Sequence, residues 1–439
     1  MAGTFKDRKL AVIFSDQGIR QTAFGVAMDD ADLNARHPQS ERTYPGRTIT
    51  REEIKDCTGE YLIAREITSQ LMRLRFSFDA TAYLLYVWLG YAFGAAAAPS
   101  GTRTNEVVTV TPSGTISGGT WNFSFTLEGK TSNIDIPWDA TASEIQAFLE
   151  DMKTIGEGNV SVSGDLTTTV VITFQGDLAA YNLPIPVVSG ANLTGSTPDV
   201  AIAETTAGIP KTAAISRTTS DQNPPFSLIV GFDGDTDDPI KYKDCVVNSI
   251  TIRGEVRGKI TVELDIVGSL ETLIALGFSL PACVNNPPLF TKDCRVLVGT
   301  EYVKVRNFVY TYSNNIITGD DAFPYDDINV ERLEHDDRTS IFNFAYYGSP
   351  DEDNNSKYHK AKIESSEETS LIMGVPSNRI VVNMPKNNLI LADDAISFAG
   401  EARRSTVNIE GTPFYDSLVP GTPDNVIYYG PETVTLLST

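Results

Sequence analysis

Cys245-Val-Val-Asn-Ser-Ile-Thr-Ile-Arg-Gly254-Glu-Val-Arg-Gly258-Lys-Ile-Thr-Val-Glu-Leu-Asp-Ile-Val-Gly268 carries the clearest pattern in the chain. From Lys259 to Val267, Ile260, Val262, Leu264 and Ile266 alternate with Thr261, Glu263 and Asp265. That is the period of a strand with one buried face and one wet, acidic face. Asn248 to Arg253 reads as its antiparallel partner, and Gly254 to Gly258 as the turn between them. The same turn superficially resembles a phosphate loop. It has three residues between its glycines where that loop has four, and Ile260 stands where a Ser or Thr must hold magnesium, so a hairpin explains the glycines better.

Further strands are expected on the C-terminal side at Arg295–Val298, Tyr302–Tyr312, Ser340–Tyr347, Arg379–Met384 and Ser405–Glu410, with a short helix at Leu270–Leu276. The fold class is therefore mainly β, of the α+β type.

A different composition interrupts this β-rich frame. Residues 107–208 hold 2 basic and 11 acidic residues, whereas residues 1–106 hold 13 of each sign. So sharp a break marks a separate module, bordered by the loop-forming Pro99-Ser-Gly-Thr-Arg and Gly208-Ile-Pro-Lys. Within it Trp121, Phe123, Phe125 and Leu127 alternate with polar residues and turn at Glu128-Gly129 towards Ile134 and Ile136, a hairpin. Thr141-Ala-Ser-Glu144 is a capping box, and Ile145, Phe148, Leu149 and Met152 then form one apolar helical face before Gly156. Val160–Val162 and Val170–Phe174 complete a β-β-α-β-β unit with a Gly/Thr-rich tail. Strands on both sides need partners, so the module reads as an insertion at 107–208 into a discontinuous β domain of residues 1–106 and 209–439, with the two ends of the insertion close together.

Ala80 to Ala98 contains no charged residue, a run of 19 that approaches the ~20 needed to span a bilayer. Its glycines, alanines and tyrosines leave only a short bulky centre at Leu84, Leu85, Val87, Trp88 and Leu89, so a buried or subunit-interface helix is the expectation. Asp79 is placed to cap its start, and Gly90 to Gly94 to end it.

The 439 residues suggest about three domains. With 35 basic against 57 acidic residues the net charge is −22, which argues against a protein that grips nucleic-acid phosphates by releasing counterions. Cys57, Cys245, Cys283 and Cys294 are widely spaced and only His37, His335 and His359 could join them, so neither zinc nor a disulfide framework is expected. The N-terminus lacks the apolar core of a secretion signal, from which a cytoplasmic, thiol-reduced protein is expected. Asp233-Gly-Asp-Thr-Asp-Asp238 begins like a calcium loop with Asp244 at its twelfth position, but Asp238 and Pro239 stand where the sharp glycine turn belongs. Asp351–Asn355 lacks a carboxylate at the twelfth position, Lys362. No nucleophile elbow or zinc-protease motif occurs, and although 57 acidic residues leave a two-carboxylate mechanism open, the missing signatures favour a binding or structural role without catalytic residues, metal or cofactor.

The run V-N-S-I-T-I…G-x-I-T-V-E-L-x-I-x-G at 247–268 resembles the major tail tube protein of long-tailed bacteriophages. The likeness extends more loosely over residues 1–98 and 226–430, including Val381-Val-Asn-Met-Pro385. The insertion is similar to a small accessory domain found within phage tail and capsid proteins, through Gly119-Thr-Trp-Asn-Phe-Ser-Phe125, Pro137-Trp-Asp-Ala-Thr-Ala-Ser-Glu144 and Gly158-Asn-Val-Ser-Val-Ser-Gly164. The resemblance implies a β-sandwich with a flanking helix, six copies closing into a barrel-forming ring, and rings stacking into a tube that conducts DNA. It further implies a virion tail location after assembly in the host cytoplasm, self-association, other tail proteins at the tube ends, and an accessory domain on the outer surface.

Two site expectations accompany it. Thr261, Glu263 and Asp265 would face the lumen, their acidity denying passing phosphates a grip. Residues 36–60, where Arg36, Arg42, Arg47 and Arg51 gather and Pro38, Pro45 and Gly46 interrupt regular structure, would form a loop docking on the acidic rim of the next ring. The alternative reading is a glycan-binding β-sandwich in which Trp121, Trp138 and the Tyr/Phe content supply stacking platforms.

Overall fold

The computed structural model describes residues 10–15, 20–22, 26–33, 35–36, 46–55, 62–94, 99–218, 220, 222–232, 240–268, 270–273, 281, 283–284, 286–303, 305–318, 333–348, 365–398, 405–413, 425–430 and 436–437. The chain opens with β1 (Leu10–Phe14), β2 (Ala35–Arg36), β3 (Gly46–Lys55), β4 (Leu62–Asp79) and α1 (Ala82–Phe93). The insertion follows as β5 (Val107–Leu127), β6 (Lys130–Pro137), α2 (Ala142–Glu150), β7 (Val160–Gly164), β8 (Val170–Phe174), β9 (Val187–Ser189) and β10 (Leu193–Thr206). Then come β11 (Lys211–Ser216), β12 (Phe226–Phe232), β13 (Ile240–Gly254), β14 (Ile260–Gly268), β15 (Leu270–Leu273), β16 (Cys283–Val284), β17 (Cys294–Val298), β18 (Glu301–Val303) and β19 (Val305–Ser313). The last are β20 (Thr339–Gly348), β21 (Ser365–Val375), β22 (Asn378–Phe398), β23 (Ser405–Pro413), β24 (Asn425–Gly430) and β25 (Leu436–Leu437).

The organising element is α1, whose twelve residues are all buried. A helix apolar on every side must be covered on every side, and here strands of the mainly β host surround it. Trp88, fully buried, lies 5.5 Å from Phe14, 5.7 Å from Phe76, 5.4 Å from Tyr91 and 6.1 Å from Phe226, ring centre to ring centre. The N-cap is Thr81, whose hydroxyl accepts from the Leu84 amide, and not Asp79, which lies at the end of β4. Gly94 ends the helix in the left-handed region at φ +76°, where the Nδ2 groups of Asn223 and Asn314 both donate to the Ala92 carbonyl at 2.8 Å. Two amide donors thus satisfy a carbonyl that has no intrahelical partner. Among the described residues no helix is long and apolar enough to cross a membrane.

The hairpin read at 245–268 is present, with β13 paired to β14 from Val246↔Val267 to Gly254↔Ile260. It stands at the centre of an antiparallel run β3-β4-β14-β13-β19-β20-β23-β22, each neighbour hydrogen-bonded to the next. The N-terminal part of β13 leaves that run and pairs instead with β12 on one side and β15 on the other. This changes the expectation for Leu270–Leu276. Leu270–Leu273 is strand β15, paired antiparallel with Lys243–Ile240, and 274–276 lie outside the described residues. The leucine spacing suits either a helical turn or a short strand, and the unpaired edge of β13 decides between them.

The insertion folds around its own core. Trp121, Phe123, Phe125, Ile136, Ile145, Leu149, Val160, Ile172 and Phe174 belong to a cluster made entirely of residues between 108 and 202. The capping box forms as read, with the Thr141 hydroxyl accepting from the Glu144 amide and the Glu144 carboxylate accepting from the Thr141 amide at 2.9 Å. The Gly/Thr-rich tail is not irregular. It supplies β9 and the 14-residue β10, and β10 pairs along the first half of the 21-residue β5 while β6 and β9 flank its second half. Bridges Ser100↔Thr212 and Thr104↔Ile209 bind the entering and leaving strands to each other in a narrow neck.

Candidate functional site

Strand alternation divides the central run into two faces. Leu74, Phe76, Phe78, Ile250, Ile252, Val262, Leu264, Tyr310 and Phe342 point into the core shared with α1. The opposite side chains stand in register. Asp79, Thr261, Arg253, Val309, Asn343 and Glu410 form one row across six strands. Ser77, Glu263, Thr251, Thr311 and Ile341 form the next, and Arg75, Asp265, Ser249, Ser313 and Thr339 a third. Cross-strand partners touch within these rows; the hydroxyls of Thr251 and Thr311, for example, lie 3.2 Å apart.

Thr261, Glu263 and Asp265 do share this face, but they are not equivalent. Thr261 and Glu263 are exposed, whereas Asp265 is 8% exposed. The Asp265 carboxylate accepts from Arg73 Nε at 2.8 Å and from Asn248 Nδ2 at 3.0 Å, makes a second contact with the Arg73 guanidinium, and lies 3.4 Å from Arg75 Nε. Burial alone would raise its pKa, yet the hydrogen bonds from Arg73 and Asn248 outweigh burial and hold the pKa below its ordinary value. The same bond raises the pKa of Arg73.

The remaining acids are also compensated. Arg253 Nε lies 3.5 Å from Glu263, and Lys259 Nζ 2.6 Å from Asp79. Among the described side chains this face therefore sets Arg73, Arg75, Arg253 and Lys259 against Asp79, Glu263, Asp265 and Glu410. It is formally neutral in a chain of net charge −22, and not the acidic wall that β14 read alone suggests. The partners on β4 lie 180 to 192 residues away in sequence. Their only local signal is the alternation Arg73, Arg75, Ser77, Asp79 against Leu74, Phe76, Phe78, which the charge pattern of 259–267 does not reveal.

One end of the face is covered. Ile316 and Leu333 pack on Val246 and Val267, and the Ile316 amide donates to Asn248 Oδ1 at 3.0 Å, so the cover is tied to the group that holds Asp265. Beside this cover the two buried ring nitrogens of His335 have no hydrogen-bond partner among the described residues. Its pKa is pushed from 6.5 down to about 4, by burial first and then by Arg338. A histidine held neutral in the fold but able to take a proton when unfolded contributes stability that is complete above pH 6.5 and is lost as the pH falls towards about 4. His335→Gln is therefore expected to flatten the decline of melting temperature between those pH values. An unchanged decline in the variant would assign the acid sensitivity to other groups.

The basic cluster is not one irregular loop. Arg36 lies in β2, and Arg47 and Arg51 lie in β3, which pairs with β4 from Gly46↔Arg73 to Lys55↔Leu62; Arg42 lies outside the described residues. Gly46 thus begins a strand, and the stretch after it, Thr48-Ile-Thr-Arg-Glu-Glu-Ile, has enough β-branched residues to extend it.

The other motifs resolve simply. Gly254–Gly258 is the hairpin turn, closed by the Gly258 amide donating to the Glu255 carbonyl at 3.0 Å. Residues 233–239 and 351–355 lie outside the described residues, while Asp244 is buried and its amide donates to Gln21 Oε1 at 3.2 Å. Among the described residues no cluster of His, Cys, Asp and Glu is arranged to hold a metal ion, and Cys245 and Cys294 are buried thiols. Of the tryptophans named for glycan stacking, Trp121 is fully buried and Trp138 is half-buried, packed against the core of the insertion.

Residues 140–339, just under half of the chain, match the model of a family described as phage tail tube protein. The matched span begins inside the insertion, crosses β13 and β14, and ends at the first residue of β20. No curated protein matches the chain. Over that span the chain is similar to phage tail tube proteins, which are structural components of the tail. The accessory character of the insertion receives no support from this match.

Proposed function

We propose that six copies of this chain close into a ring, that rings stack into a tube, and that the polar face of β4, β14, β13, β19, β20 and β23 lines a lumen through which DNA passes into the host. The single observation that carries this reading is the face itself: six strands wide, rich in hydroxyl and amide groups, and charge-compensated. Such a wall offers phosphates no surplus of cations and therefore no counterion-releasing grip. It also presents no dense acidic field that DNA would have to overcome, which refines the repulsive lumen expected from β14 alone. Electron microscopy of the purified chain tests the reading. Six-fold rings or tubes are expected, and a population of monodisperse monomers under all assembly conditions would contradict it.

In the same reading the insertion at 107–208 decorates the outside, because its polypeptide enters and leaves through one neck and its core is its own. Joining Arg103 to Lys211 by a short flexible linker is expected to leave a soluble, tube-forming protein, and loss of assembly would refute a purely external role. The basic residues Arg36, Arg42, Arg47 and Arg51 are proposed to meet the acidic rim of the next ring, Arg36 from β2 and Arg47 and Arg51 from β3. Arg42→Glu combined with Arg47→Glu should shorten tubes without lowering the melting temperature of the subunit, and raised salt should shorten wild-type tubes in the same way. Full-length tubes from the double variant at low salt would exclude this contact.

A further inference from the structure

The turn between β5 and β6 breaks a local rule. Glu128 has φ +49° and Gly129 φ +73°. Two successive left-handed residues in a two-residue hairpin favour Asn-Gly or Asp-Gly, and a glutamate there is strained by roughly 1–2 kcal/mol. A residue that the turn disfavours calls for another reason, and the reason lies across the boundary with the host. Glu128 Oε1 accepts from Arg379 Nη1 of β22 at 2.7 Å, and Arg295 Nε of β17 is 3.9 Å from its other oxygen. Arg379 is 3% exposed, and its guanidinium lies 4.1 Å over the ring of Tyr181, again from the insertion. Beside it the Ser377 amide donates to the Asp177 carbonyl at 3.0 Å.

We propose that Arg379 is a latch that fixes the orientation of the insertion on the host, with Glu128 as its keeper and Tyr181 as the surface it stacks on. The neck joins the two parts through two chain segments bridged at Ser100↔Thr212 and Thr104↔Ile209. The latch engages the far end of the β5–β6 hairpin and converts a tethered domain into one held at two separate places. A buried arginine can do this because its planar fork bonds the carboxylate while its face stacks on an aromatic ring, and both interactions are directional. The inference concerns the two parts of one chain and holds whether or not the subunit forms tubes.

The test uses the full chain and exploits the strained turn. Glu128→Asn restores the residue preferred at that position, so the hairpin should be retained while the latch is lost. Hydrogen exchange measured by mass spectrometry should then show about ten- to a hundredfold faster exchange at the Ser377 amide and in peptides of the neck around Thr104 and Ile209, the range expected for loss of a charge-assisted hydrogen bond. Protection at Ile172 and Phe174 within the insertion, and at Val262 and Leu264 within the host, should stay at the wild-type level. Arg379→Met, which keeps the stem and removes the fork, should give the same pattern, and the two changes together should add little. Unchanged exchange at Ser377 in Glu128→Asn would overturn the proposal. So would acceleration spread evenly through the insertion, because Glu128 would then support its fold and not its orientation.

Discussion

Trp88→Ala is expected to destabilise the host domain by about 3–5 kcal/mol, the usual cost of emptying a large aromatic site in a core. That is a large part of the roughly 5–15 kcal/mol by which a domain is stable. Four aromatic side chains converge on Trp88 from β1, β4, α1 and β12, so no single neighbour can collapse into the space it leaves. The chain has three tryptophans, and the other two, Trp121 and Trp138, lie in the insertion. Fluorescence of Trp88→Ala therefore reports the insertion alone, while far-ultraviolet circular dichroism reports the whole chain. The dichroism transition in urea should move to lower concentration and the fluorescence transition should stay in place. Equal displacement of both would show that the two cores unfold as one unit. In Trp121→Ala the destabilisation should instead be confined to residues around the second core.

Adding positive charge to the polar face should have the largest effect on function. Thr261→Lys with Glu263→Lys changes the formal charge by +1 and +2, and both positions are exposed, so losing the surface contact of Glu263 with Arg253 should cost the fold little. It also leaves Asp265 in place, which matters because that carboxylate holds Arg73 and is paired with Arg75. Each phosphate neutralised steepens the dependence of log affinity on log salt by about 0.9. The expected result is tubes of normal length and melting temperature that retain DNA at low salt and release it as salt rises, with slowed ejection from particles carrying both changes. Wild-type ejection rates in such particles, with no salt-sensitive retention, would remove this face from the path of the DNA.

The parts of the fold legible in sequence were those whose signals are local. The capping box at Thr141–Glu144 involves two side chains three residues apart, and it forms as written. The hairpins at 121–136 and 248–267 each combine strict alternation with a turn. Where the outcome depended on distant partners, sequence spacing was silent. Leu270–Leu273 pairs with an edge of β13 that only the folded sheet exposes. The β-strand at 193–206 has no clean alternation, and it is held by pairing along β5. The candidate site divides the same way. Thr261, Glu263 and Asp265 were legible as one face, but the arginines that cancel two of those acids arrive from β4 and from across the hairpin, and cancellation is a property of the assembled sheet. Trp121 is the opposite case, since its alternation already indicated the burial that keeps it from serving as a platform.

The neck also bears on the order of folding. The central sheet must bring Arg73 to Asp265, 192 residues apart along the chain. A hundred or so of those residues belong to the insertion, and once it has folded, the Ser100↔Thr212 and Thr104↔Ile209 bridges short-circuit them. Halving a loop saves only about 0.6 kcal/mol of closure entropy, so the equilibrium hardly notices. The search does: non-local pairings dominate the time a β protein needs. A nascent chain that completes residues 107–206 first hands the host sheet a pre-tied knot of adjacent ends, and the host strands after residue 211 emerge next to the ones they must find.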